Sequence, residues 1–215
     1  MLTLLIGNKN YSSWSLRAWI MLRHAGLPFE ELLVPLDRPD SAERIRAFNP
    51  AGLVPALRHD GLLVWESLAI CEYVCELAGR GLPTDPVARA QARSVSCEMH
   101  AGLRALRGSW PMNIRATGRR TPASPELLAQ VTRVETLWHE CRTRFGAGGP
   151  WLFGEYSLAD AMYAPVVMRF RTYGAEVSAL AQAYMTTVLT DPLLADWLAA
   201  AATEPWVVAA DEAGA

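Results

Sequence analysis

NPAGLVPALRHDGLLVWES, residues 49–67, holds two short runs, PALR and LLVW, separated by His59-Asp60-Gly61. Asp-Gly between such runs is a hairpin signal, because the favoured two-residue turn needs positive φ at both central positions. The spacing predicts two antiparallel strands. Pro55 opens the first; it has no N–H to give to a ladder, which points to a bend or a cis bond at Val54-Pro55. Glu66-Ser67 stands immediately ahead of a helical pattern in which Leu68, Cys71, Val74 and Cys75 share one face. A carboxylate and a hydroxyl are thus placed at the positive end of a helix. A hydroxyl there either caps a backbone N–H or helps to hold an anion.

Outward from this stretch the alternation continues. Toward the N-terminus lie an apolar run at 2–6 (LTLLI), a helical stretch over 13–25 ended by Gly26 and Pro28, a strand pattern from Phe29 to Leu36, and a short run of helix formers, DSAERIRAF, up to Asn49-Pro50. With a helix over 67–79, the order is β-α-β-α-β-β-α. Residues 80–86, RGLPTDP, read as a linker, and strand signals stop there. The rest predicts helices over 87–109, 125–145, 158–173, 177–190 and 192–202. The fold class expected is α/β plus all-α: a small α/β domain over 1–79, then an all-helical domain over 87–215.

Composition narrows the partners. The 215 residues are 51% hydrophobic, enough for a proper core, and the net charge of −2 supplies no basic field for nucleic acid or an anionic membrane. Cys71, Cys75, Cys97 and Cys141 are too few and scattered for a disulfide framework or a zinc ribbon. Cys71 and Cys75 belong to the core, and no metal is expected. The N-terminus carries no secretory pattern, and no apolar run approaches the ~18 residues of a membrane helix, so a cytoplasmic location is expected. His24, His59, His100 and His139 show no metal-ligand spacing. Ser157-Leu158-Ala159-Asp160 has the form of a capping box, with Asp in place of Glu, and is assigned to folding.

One further stretch, YSSWSLR at 11–17, puts three serines where the first strand gives way to the first helix. They read either as a cap or as hydroxyls and free N–H groups aimed at something negative. Arg17, one turn into the helix, is expected to serve an internal ion pair or a cap.

Together, YSSWSLR, NPAGLVPAL, DGLLVWESLAI and FGEYSLADAMYAP resemble a cytosolic glutathione transferase, and the serine-rich start is similar to the serine-type, zeta-like members. The match spans both halves and is most specific in the order of NP, VP and ES. The resemblance implies a thioredoxin-like N-terminal domain, a helical-bundle C-terminal domain forming the electrophile pocket, glutathione as co-substrate, a role in detoxification and a homodimer. It implies that Val54 offers a backbone edge to glutathione before a cis Pro55. It further implies that Ser67 bonds the γ-glutamyl carboxylate, that Glu66 faces the γ-glutamyl amine, and that Trp14 stands beside them. A thiol of pKa about 8.5 is only ~3% ionised at pH 7, and lowering it by about two units takes roughly 2.7 kcal/mol of preferential thiolate stabilisation. Ser12 is the first candidate donor to that sulfur and Ser13 the second. The pocket wall for a small-molecule electrophile is expected at Trp110, Met112 and Arg107.

The expected activity is conjugation of glutathione to a hydrophobic electrophile. A zeta-like isomerase acting on an acidic substrate is the alternative, for which the arginines around 104–120 would serve; Trp14, where that pattern has cysteine, counts against it. A third possibility is a scaffold kept for interaction without catalysis. A disulfide oxidoreductase is disfavoured, since no C-x-x-C stands at Ser12–Ser15.

Overall fold

Strand β1 (Leu2–Ile6) runs through the middle of a four-stranded sheet of order β2-β1-β3-β4, pairing in parallel with β2 (Phe29–Leu33) and antiparallel with β3 (Ala56–His59), which in turn pairs with β4 (Leu62–Trp65). The computed structural model describes residues 1–214. The hairpin forms at the expected dipeptide, with φ of 46° at Asp60 and 90° at Gly61. Strand β2 stops at Leu33 rather than Leu36, although Val34 still donates to Ile6. Pro35 follows and cannot extend the ladder.

Period-2 alternation divides β1 between two layers. Leu2, Leu4 and Ile6 face the main core, with helices α1 (Ser13–Ala25) and α3 (Ser67–Ala78), while Leu5 joins Val34, Ile45, Phe48 and Ala56 under α2 (Ser41–Phe48). The β-α-β-α-β-β-α order and mixed sheet make this half thioredoxin-like. The rest of the described chain is built on helices: α4 (Pro86–Ala101), α5 (Arg104–Ser109), α6 (Pro125–Phe145), α7 (Leu158–Tyr173), α8 (Ala179–Leu189) and α9 (Pro192–Thr203). Among the described residues, no helix is long and apolar enough to cross a membrane.

The single helix expected over 87–109 is two. Gly102 ends α4, and Leu103 adopts φ 53°, a left-handed conformation that breaks the helical hydrogen-bond ladder. A Cβ at Gly102 would lie 2.7 Å from the Glu98 carbonyl oxygen, so the close turn needs glycine. This break turns α5 away from α4 and brings Arg104 and Arg107 toward the first domain.

Helix α7 is buried on nearly every side and packs against α1, α3 and α4, coupling the two halves. Its start is the expected capping box: the Asp160 carboxylate accepts from the Ser157 N–H and hydroxyl, each at 2.8 Å, and also from the Leu152 N–H at 3.0 Å. Arg169, on the last turns of this helix, is 4% exposed.

Candidate active site

The turn between β1 and α1 is where the serines fall. Ser12 caps α1, accepting from the Ser15 N–H at 3.3 Å, and its hydroxyl lies 2.7 Å from that of Ser15, which accepts from the Gly7 N–H at 3.0 Å. Either hydroxyl of the Ser12–Ser15 pair can donate, and when Ser15 does so the Ser12 proton is left for the adjoining cleft. The cap reading holds for Ser12, and the cap bond itself uses only the accepting side of the hydroxyl. Ser13 Oγ accepts from Arg169 Nη2 at 3.1 Å, so its proton is also uncommitted and a cation stands behind it. Arg169 is fixed by further bonds to the carbonyls of Trp110 (2.8 Å) and Pro165 (3.3 Å). Burial, with repulsion from Arg107, lowers its pKa to about 10, which leaves it charged at neutral pH.

Both serines line a cleft of about 640 Å³ between the halves, together with Trp14, Arg107 and Met112. Trp110 is not on its wall. The Trp110 ring stacks on Tyr173 and donates to Thr121 at 2.9 Å, so the sequence expectation fails there because the chain turns the indole into the core. Arg104, from the arginine group around 104–120, joins the wall, and Arg169 supplies a wall position that sequence reading did not single out. A usable signal for Arg169 was present: a lone arginine inside the apolar run APVVMRF.

A smaller cavity of about 220 Å³ adjoins through Trp14, Leu53 and Val54, and is completed by Pro55, Glu66 and Ser67. The Val54-Pro55 peptide is cis. Asn49 ties the loop before it, donating to the Leu53 carbonyl (2.9 Å) and accepting from the Ala51 N–H (3.2 Å). Ser67 is the first helical residue of α3, not its cap; its hydroxyl is buried and bonded to no group among the described residues. Such an atom is costly to bury unless something else satisfies it. Glu66 sits at φ 71°, where a residue with a side chain costs about 1–3 kcal/mol and where strain collects at functional sites. Its carboxylate is 3.6 Å from His100 Nε2.

Arg17 corrects another expectation. Among the described residues no ion pair or cap engages it: all three guanidinium nitrogens are buried without a hydrogen-bond partner there, and the group lies 4.3 Å from the centre of the Trp14 ring. Arg107 approaches the same ring at 5.1 Å. Burial, Arg169 and Arg107 together push the Arg17 pKa down to about 9. The floor of the site is thus strongly positive. Among the described residues, no group of His, Cys, Asp and Glu could hold a metal, and Cys71 and Cys75 are buried thiols pushed upward by desolvation.

Two family models match in order: the N-terminal domain of glutathione S-transferase over residues 11–77 and its C-terminal domain over 98–200. The chain belongs to the glutathione S-transferase family. Within that family it is 26% identical over 200 residues to a probable maleylacetoacetate isomerase of Caenorhabditis elegans, covering 90% of this chain and 89% of that protein. It is 28% identical over 173 residues to the maleylacetoacetate isomerase of Rattus norvegicus, covering 78% of each. A glutathione transferase homolog from Burkholderia, solved with bound glutathione, superposes with a TM-score of 0.70 at 21% identity over 93% of this chain and 97% of that one. Glutathione is the co-substrate of this family. The residues present fit it: an orphaned hydroxyl at the positive end of α3, a carboxylate beside it, and two serine hydroxyls at the start of α1.

Proposed function

We propose that the protein binds glutathione across the two adjoining cavities and activates its thiol for attack on a small electrophile in the larger one. The observation that carries this reading is the pair of hydroxyls on Ser12 and Ser13, each with its accepting side already engaged and both lining one cleft. Ser67 and the first N–H groups of α3 hold the γ-glutamyl carboxylate, Glu66 the amine, and Val54 the peptide edge before Pro55. Ser12 and Ser13 donate to the sulfur, while Arg169 polarises the Ser13 hydroxyl from behind. Trp14 walls the ligand off from Arg17. The test is calorimetric titration with reduced glutathione. Ser67→Ala should weaken binding about tenfold, the worth of a hydrogen bond to a charged group, with turnover at saturation preserved. Full affinity in that variant would remove Ser67 from the site.

A second reading is isomerisation of an acidic substrate. It is favoured by the maleylacetoacetate isomerases among the relatives and by Arg104, Arg107 and Arg169 on the cleft wall. Turnover of a dicarboxylic keto acid compared with a chlorinated nitroaromatic separates the two. The assembly is a homodimer in this reading, with Leu62 and Trp65 of edge strand β4, each about half exposed, as candidate contact residues. Light scattering on the purified chain tests it.

A further inference from the structure

Residues 204–214, which follow α9, run back along the β1–α1 turn. The Glu204 carboxylate accepts from the N–H groups of Lys9 (2.7 Å) and Asn10 (3.0 Å). Glu212 accepts from the Tyr11 hydroxyl (2.6 Å), the Asn113 amide (2.9 Å) and Arg119 (2.6 Å). Between these anchors the chain carries Asp211 to the wall of the 640 Å³ cleft, which it shares with Ser12, Ser13, Arg104, Arg107 and Arg169. Asp211 and Arg169 lie close enough to influence each other's charge, and burial holds the Asp211 carboxyl above its ordinary range.

The wall therefore presents three guanidinium groups and one carboxylate. An electrophile bearing its own carboxylate would bring a second negative charge beside Asp211 on this wall, and two like charges in a partly desolvated cleft repel. A neutral electrophile meets no such penalty. We propose that Asp211 is a specificity-determining residue that selects neutral electrophiles over carboxylated ones of the same shape. This rests on the transferase reading above, and it discriminates against the acidic substrate of the isomerase reading.

The test compares 4-chloro-3,5-dinitrobenzoate with its methyl ester, which differ at the probe end by one negative charge and one methyl group, the methyl effect cancelling when the ratio is compared between variants. In either case the thiolate sulfur bonds to the chlorinated carbon, chloride leaves with the C–Cl electron pair, and the thiol proton passes to solvent. The acid-to-ester ratio is read as kcat/KM with glutathione, and separately as Kd from quenching of tryptophan fluorescence without glutathione. Asp211→Asn should raise both ratios about tenfold, the scale on which a misplaced like charge discriminates between ligands. Asp211→Glu, which keeps the charge, should stay within about twofold of the parent. An unmoved ratio in Asp211→Asn, or an equal rise in Asp211→Glu, overturns the proposal. The Kd readout needs no turnover, so a protein that binds both probes but conjugates neither would refute the transferase reading while the charge selection is still decided.

Discussion

Removing the two hydroxyls at the start of α1, one at a time and together, probes the thiol chemistry most directly. A hydrogen bond to a charged acceptor contributes about 1.5 kcal/mol or more, close to one pKa unit. Two such donors would bring a thiol of about 8.5 to about 6.5, raising the ionised fraction at pH 7 from ~3% to roughly three quarters. Ser12→Ala should return the bound thiol to about 7.5, Ser13→Ala to a somewhat higher value, and the double variant to about 8.5. The Ser13 step should be the larger, because a buried guanidinium 3.1 Å behind that oxygen strengthens its donation. The assay is ultraviolet titration of the thiolate with glutathione held at saturation. Initial rates are a poorer readout, since a thiolate of higher pKa is also the better nucleophile, by about a factor of three per unit, which masks most of the lost ionised fraction. Unmoved titrations in all three variants, with glutathione still bound, would refute hydroxyl activation and leave the helix-end N–H groups and arginines to account for the thiolate.

Replacing Glu204 with Gln removes the charge that two backbone N–H groups share at 2.7 and 3.0 Å, and should lower stability by about 1–3 kcal/mol in urea denaturation. Arg17→Met exchanges a buried cation that lacks hydrogen-bond partners for an apolar chain of similar length. It should stabilise the glutathione-free protein by about 1–3 kcal/mol, seen as a rise in Tm; a fall would mean that its stacking on Trp14 outweighs desolvation. His100 has its pKa lowered below 6.5 by burial and then by Arg17, against the pull of Glu66. The unfolded chain therefore takes up its proton first on acidification, so stability present above pH 6.5 is lost as pH falls toward the folded value, and His100→Gln should flatten that stretch of the stability–pH curve.

Local chemistry was enough for much of the fold. The Asp60-Gly61 turn, the helix ends at Gly26 and Gly79, and the Ser157–Asp160 box all rest on interactions within about four residues, so composition and spacing determine them directly. The same holds for the placing of Ser12 and Glu66-Ser67 at helix starts. The break at Gly102-Leu103 escaped because glycine within a helical pattern is often tolerated, and only the close approach to the Glu98 carbonyl makes it a turn. Tertiary structure alone decided what stands behind those local features. Arg169 meets Ser13 across 156 residues, Glu204 meets Asn10 across 194, and Trp110 turns into the core instead of the cleft. Those pairings depend on how α7 packs on α1 and where the segment after α9 returns, which are consequences of the whole core closing and leave no periodic trace in the chain.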